Sequence, residues 1–216
     1  MTYNQKMKCS YDLEAELWLQ GYASIAGVDE VGRGPLAGPV VACACVLPRP
    51  QQPEDAFSSY FRSIQDSKSL TPKKRYEVYQ ALIANQNVHY ALGIVDQITI
   101  DKINILQATL QAMQQAVHKL CCPPDFALID GIDCPELSIP CRAVVKGDSL
   151  SKSIAAASII AKVIRDQMMD LWDEQYPQYG FKDHKGYGTQ AHLQAIKEHG
   201  PCPLHRMSFA PIKTVR

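Results

Sequence analysis

Gly27-Val28-Asp29-Glu30-Val31-Gly32-Arg33-Gly34-Pro35-Leu36-Ala37-Gly38-Pro39-Val40 is the stretch on which the reading of this chain turns. Adjacent carboxylates, Asp29 and Glu30, close a short apolar run that begins at Ile25. Gly32 and Gly34 flank Arg33 in the turn beyond, and Pro35, Gly38 and Pro39 punctuate the segment leading to Val40. Acids at a strand end suit hard cations, and a glycine-rich turn carrying an arginine suits a phosphate backbone. Neighbours on a regular strand point to opposite faces, so aiming Asp29 and Glu30 at one site calls for a strand end or a bulge.

Outward from this stretch, hydrophobic periodicity assigns strands to Ser24–Val31, Val40–Leu47, Val88–Val95, Phe126–Ile129 and Ala143–Val145. Helices are predicted over Asp12–Leu19, from Pro72 to about Asn85 with Thr71 as N-cap, over Ile100–Leu120, from Ser149 to about Gln175, and over Gln190–His199. In the longest of these, Ile154, Ala157, Ala161, Ile164, Met168 and Leu171 form one apolar stripe, and small residues Ala155 to Ser158 permit close approach to a sheet. Pro48–Ser59 reads as a loop. Strands followed by alternating helices and strands make this an α/β chain with a mixed sheet and helices packed on it.

Asp130 precedes Gly131 and Asp148 follows Gly147, each after a short apolar run, so both join Asp29 and Glu30 at the carboxyl ends of strands. Four converging carboxylates repel one another unless cations neutralise them, and Mg²⁺ or Mn²⁺ suits an all-oxygen set. Two such ions form the clamp used for in-line phosphodiester cleavage. Turn formation by Asp130 and helix capping by Asp148 are the plainer alternatives. Asp166, four residues after Lys162, reads as half of a surface ion pair. Gly147-Asp148-Ser149-Leu150 mimics a serine-esterase tetrapeptide, but no D-x-x-H follows to supply an orienting base.

Cations gather at Lys68, Lys73, Lys74 and Arg75, at Lys146, Lys152, Lys182 and Lys185 around the later acids, and at His205-Arg206. Tyr187 stands between Gly186 and Gly188, where a loop presents its ring to a sugar or base; His184 is weighed as a ligand or acid–base group. With 22 basic and 22 acidic residues the net charge is zero, which argues against strong non-specific nucleic-acid binding. Hydrophobic content of 46% and charged content of 20% place all 216 residues in a globular class of one-domain size. No apolar run approaches a membrane span, and Met1 to Gln20 lacks the apolar core of a secretory signal. The cysteines lack C-x-x-C spacing and read as free thiols of a reducing, cytoplasmic compartment rather than as zinc ligands.

Several blocks occur in one order: GVDEVGRGPLAGPVV, DSKSLTPKKR, INILQAT, LIDG, KGDSLSKSIAAASIIAKVIRD, HKGYGT and HRMSFAPI. Together they resemble ribonuclease HII, the type 2 ribonuclease H of bacteria, from Ser24 to Ile212. The resemblance implies a ribonuclease-H-like fold, a mixed five-stranded sheet flanked by helices with a helical C-terminal region. With the chain's one-domain length, a single catalytic domain over residues 1–216 is expected, with residues 1–23 a short appendage of unassigned role. The implied activity is cleavage of the RNA strand of RNA–DNA hybrids and incision at single ribonucleotides in duplex DNA, leaving 3′-hydroxyl and 5′-phosphate ends. Asp29, Glu30, Asp130 and Asp148 then fall on the family's catalytic, metal-holding acids. Gly32, Arg33 and Gly34, with Tyr187, fall on the elements that read the 2′-hydroxyl at an RNA-to-DNA junction, and Lys68, Lys146 and Lys185 complete the expected substrate contacts. Ribonuclease HIII, the neighbouring family, carries Gly-Thr-Gly in that loop and a longer N-terminal domain. No obligate protein partner and no sliding-clamp peptide is evident.

Overall fold

The computed structural model describes residues 9–50, 64 and 70–214. Elements follow in the order α1 (Asp12–Leu19), β1 (Ile25–Val31), β2 (Val40–Val46), α2 (Pro72–Ala84), β3 (His89–Val95), α3 (Gln97–Ile103), α4 (Ile105–His118), β4 (Phe126–Asp130), β5 (Cys141–Val144), α5 (Lys152–Gln175), α6 (Phe181–His184) and α7 (Gln190–His199). The strands form one five-stranded sheet in the order β3-β2-β1-β4-β5. β1, β2 and β3 pair antiparallel, whereas β4 and β5 run parallel to β1, so the sheet is mixed as expected. α5 covers one face and α4 the other.

Alternation along the strands fills both layers. Cys43 and Cys45 of β2 face Ala155 to Ala161 of α5 together with α2, while Ala26, Val28, Ala42 and Ala44 face Ala108, Ala112 and Ala116 of α4. The approaches are close because side chains are missing where backbones meet. A Cβ on Gly27 would lie 2.1 Å from the Ser153 carbonyl carbon, and one on Gly93 would lie 1.8 Å from the Ala112 oxygen. None of the eight cysteines forms a disulfide, and Cys43, Cys45, Cys9 and Cys202 are buried but Cys121 and Cys122 exposed.

Three helix expectations change. The helix expected over Ile100–Leu120 is two, because Asn104 adopts φ 68° and its side chain accepts from Leu106 N and Gln107 N, capping a fresh helix. The long helix starts at Lys152 rather than Ser149. Gly147–Ser149 forms a 3₁₀ turn, and the Ser151 hydroxyl accepts from Ile154 N at 3.1 Å as the N-cap. The single apolar stripe is also corrected. Residues 152–161 are buried on every side, and farther on Arg165 and Met169 carry the buried line while Leu171 is 65% exposed.

Residues 9–19 are built into the core. Ser10 pairs with the backbone of Leu150 and Lys152, and Glu14, 2% exposed, accepts from Ser151 Oγ, Ser153 N and Ser153 Oγ. A carboxylate at the first turn of α5 satisfies orphan N–H groups and complements the helix dipole. The C-terminal region is helical, with α6, α7 and 3₁₀ turns packed around Tyr179, Phe181, Ile196 and Leu204. Most of the predicted Pro48–Ser59 loop lies outside the described residues.

Candidate active site

The acids collect at the carboxyl ends of the three parallel strands. β1 pairs with β4 only as far as Val28↔Ile129, and β4 ends at Asp130, which pairs with Val144 of β5. Asp29 and Glu30 therefore lie just past the last β1–β4 rung. Pairing between β1 and β2 runs unbroken from Ala26↔Val46 to Val31↔Val41, so the strand holds no bulge. By alternation Asp29 leaves on the α5 face, where Ser158 hydrogen-bonds it, and Glu30 leaves on the other. The end of β4 reconciles them: with no strand beside β1 at this level, both carboxyls come under the charge of Asp130.

Electrostatics record that convergence. Asp29, 5% exposed, is held well above the ordinary carboxylate range by burial, then by the charges of Glu30 and Asp130. Glu30 is raised by burial and by Asp130, against the opposing pull of Arg33, whose Nη1 stands 3.4 Å from Glu30 Oε1. Asp130 Oδ1 accepts from Gly147 N at 2.6 Å, which draws the 3₁₀ turn bearing buried Asp148 against the end of β4. Asp148 thus belongs to the turn before α5 and does not cap the helix. Among the described residues, no three of these acids bring one carboxylate oxygen each within 4.8 Å of the other two. The four acids offer an all-oxygen donor set, the kind that fits Mg²⁺ or Mn²⁺.

Beside the acids, the Gly32-Arg33-Gly34 loop is gripped from behind by buried arginines. Arg206 donates to the carbonyls of Gly32 (2.5 Å), Arg33 (2.9 Å) and Gly38 (2.9 Å). Arg165 donates to those of Pro39, Ala37 and Lys185 at 3.0–3.1 Å. Burial pushes Arg206 down to about 9 and Arg165 down to about 10, so both remain charged at neutral pH. Gly32 has φ 94°, and a Cβ there would strike Arg165 Nε at 2.2 Å. Gly34 meets the Tyr187 ring, which a Cβ would contact at 3.6 Å. The Arg33 side chain and Tyr187 are 49% and 44% exposed.

Tyr187 is positioned by histidines. Cys202 N–H donates to His205 Nδ1 at 2.9 Å, which puts the His205 proton on Nε2, 3.1 Å from His192 Nε2. His192 then carries its proton on Nδ1 and donates to the Tyr187 carbonyl at 2.9 Å. His184 stacks on His192 with centroids 4.3 Å apart. Its Nδ1 accepts from Gly186 N and its Nε2 faces the Tyr179 carbonyl, so both nitrogens are committed and neither is offered to a ligand.

The cations divide. Lys146 is exposed in the left-handed region at φ 56°, beside the turn of Asp148. Lys185, also left-handed at φ 52°, places its ammonium on Asp170. Lys152 is buried with Nζ on the Ile64 carbonyl, and Arg206 and His205 are buried, so these three form no phosphate-facing surface. Asp166 pairs with Lys162 at 2.6 Å, as the spacing predicted. Lys68 lies outside the described residues. Arg165, Arg206, Ser158, Glu14, His192 and His205 escaped sequence reasoning as site supports. Only the charged Arg165 within an otherwise buried helical line offered a signal.

Comparison with known proteins agrees with this geometry. A family model described as Ribonuclease HII matches residues 26–212. A ribonuclease HII of Chlamydia caviae is 53% identical over 202 residues, covering 94% of this chain and 91% of its own. Among solved structures, the ribonuclease H2 of Pyrococcus horikoshii superposes with a TM-score of 0.71 at 26% identity, over 88% of this chain and 96% of its own. Bst-RNase HIII gives 0.67 at 21% identity, over 88% and 68%, a likeness of fold alone.

Proposed function

This chain belongs to the ribonuclease HII family, and on that premise we propose that it incises at single ribonucleotides embedded in duplex DNA as well as within longer RNA–DNA hybrids. As a type 2 ribonuclease H it is an endonuclease that degrades the RNA of such hybrids. The observation that carries the finer reading is the nearness of Gly34 to the Tyr187 ring, since a Cβ at Gly34 would lie at van der Waals distance, 3.6 Å, from it. The 2′-hydroxyl is the sole chemical difference between the two sugars, so selectivity needs a donor or acceptor and a steric wall within one sugar's width. The Gly32-Arg33-Gly34 backbone and Tyr187 supply both.

Asp29, Glu30, Asp130 and Asp148 are assigned to the divalent cations. Burial, and then the charge of Asp130 on both and of Glu30 on Asp29, raises Asp29 and Glu30, a condition that a bound cation would relieve. Bst-RNase HIII has been crystallised with Mn²⁺, in keeping with a hard-ion site in this fold. Mg²⁺ or Mn²⁺ in such a site, two ions during turnover, supplies Lewis-acid stabilisation of the charge that develops on the scissile phosphate, leaving 3′-hydroxyl and 5′-phosphate ends. Arg33, paired with Glu30 at 3.4 Å, would be available to phosphate if cations held that carboxylate. Lys146 contributes a backbone contact, and Lys68 and Lys185 belong to the same footprint, Lys185 after exchange from Asp170. The chain works as one catalytic unit over residues 1–216. Free thiols throughout suit a cytoplasmic setting.

The test compares three duplexes with Mg²⁺ and with chelator: one bearing a single ribonucleotide, a full RNA–DNA hybrid, and all-DNA. Metal-dependent cleavage of the first two at the ribonucleotide side is expected, with Tyr187→Ala losing the single-ribonucleotide reaction preferentially. Equal loss on both substrates would remove Tyr187 from junction reading, and cleavage of all-DNA would overturn the sugar selectivity.

A further inference from the structure

Away from the acids, the structure gathers one other set of metal-competent donors. His89 opens β3, an edge strand, and Cys121 and Cys122 follow the C-terminal end of α4. His89 Nδ1 lies 3.6 Å from Cys121 Sγ, which lies 4.0 Å from Cys122 Sγ. One donor atom from each of the three fits within 4.8 Å, the only such group among the described residues. Both thiols are exposed. Cysteine spacing alone shows no zinc pattern; the fold supplies the third donor from 32 residues away.

Ideal tetrahedral geometry gives these distances meaning. With metal–sulfur bonds of about 2.3 Å and metal–nitrogen bonds of about 2.05 Å, ligand atoms stand about 3.6 Å apart for sulfur and nitrogen and about 3.8 Å apart for two sulfurs. Two of the three observed separations, 3.6 and 4.0 Å, therefore already match ligation of one ion, and the third, between His89 and Cys122, lies within 4.8 Å. Two thiolates and an imidazole select a soft or borderline ion such as Zn²⁺ over Mg²⁺ or Mn²⁺. The C-terminal end of α4 adds a negative helix pole, which favours a cation.

We propose that His89, Cys121 and Cys122 form a three-ligand site for a zinc-class divalent cation, its fourth position open to water, that clips edge strand β3 to the end of α4. The site is remote from the acids. His89 pairs with Val46 at one end of β2, whereas Glu30 pairs with Ala42 toward the other. Hard and soft cations thus sort to opposite ends of the sheet by donor chemistry. Closing a link between elements far apart in sequence stabilises the folded chain in proportion to how far the free ion exceeds its dissociation constant.

Titrating the reduced full-length protein with Co²⁺ tests this, because thiolate ligation gives an intense near-ultraviolet charge-transfer band that carboxylate sites do not. Saturation at roughly one equivalent is expected, with tetrahedral visible bands and displacement by Zn²⁺. The band should vanish in Cys121→Ser and Cys122→Ser, weaken about tenfold or more in affinity in His89→Ala, and persist in Asp130→Asn. Zn²⁺ should raise the unfolding temperature of the parent chain but not of Cys122→Ser. Should Cys121→Ser or His89→Ala fold poorly, exposed Cys122→Ser decides alone. Absence of the band, or an undiminished band in Cys122→Ser, overturns the site.

Discussion

At Asp130 one carboxylate does two separable things, and substitution by Asn splits them. Its Oδ1 accepts the Gly147 N–H that fixes the Asp148 turn, and its charge presses on Asp29 and Glu30. Asn keeps the acceptor and removes the charge. Asp130→Asn should therefore cut cleavage by about 10³-fold or more while the melting temperature holds or rises. A fall of several degrees would mean that the charge itself is structural; full activity would sink the metal assignment.

His192 makes a second prediction at this scale. Burial pushes it down to about 4, with the neighbouring His184 and His205 adding repulsion. His205 is lowered for the same first reason. Because the folded values lie below the unfolded value of about 6.5, the unfolded chain binds more protons between them. Stability from these neutral rings is thus fully present above pH of about 6.5 and is lost as pH falls toward 4. Thermal melts between pH 7.5 and 4.5 read this directly. Gln at position 192 can still donate to the Tyr187 carbonyl and accept from His205, so His192→Gln should flatten that acid slope. An unchanged slope would assign it to other groups.

At the scale of elements, the start of α5 decides where Asp148 sits, and Glu14 decides the start of α5. Glu14 receives hydrogen bonds from Ser151 and Ser153, one turn after Asp148. Replacing it with Ala strands those buried donors at a cost of about 1–3 kcal/mol, which is several degrees in a domain of this size. Glu14→Ala should also lower the turnover rate more than substrate affinity, since the turn bearing Asp148 loosens. Melting and steady-state kinetics together check it; a parent-like melt would show that the Ser151 cap suffices.

The same element shows what could be read in advance. Strand and helix positions were legible because apolar periodicity is local, and α1 and α7 match residue for residue. The acids were legible because each ends such a run. The breaks at Asn104 and Ser151 were not, since each depends on one side chain choosing the backbone over solvent. Nor was the grip of Arg206 on Gly32 and Arg33, which spans more than 170 residues of chain. Burying a guanidinium that finds carbonyl partners leaves no compositional trace.

For the whole molecule, the balance of 22 cations against 22 anions sets how it meets a polyanion. Long-range attraction is weak, so affinity must come from a few local contacts rather than a basic field. Those cations near the acids are partly engaged already, Arg33 on Glu30 and Lys185 on Asp170, and each must exchange an internal carboxylate for phosphate. Such exchange releases few counterions. Binding of a catalytically inert Asp130→Asn protein to a hybrid duplex should then show a shallow salt dependence, with log K falling against log salt at a slope of roughly −3 to −4. Lys146, exposed and beside the Asp148 turn, should reduce that slope by about 1 unit on replacement by Ala, without changing preference among duplexes. Arg33→Ala should instead change preference, because its loop is the one proposed to read the sugar. Fluorescence anisotropy across a salt series separates the two. A slope near −8 would mean that a basic surface outside these residues dominates, and the neutral-field account of substrate capture would fall.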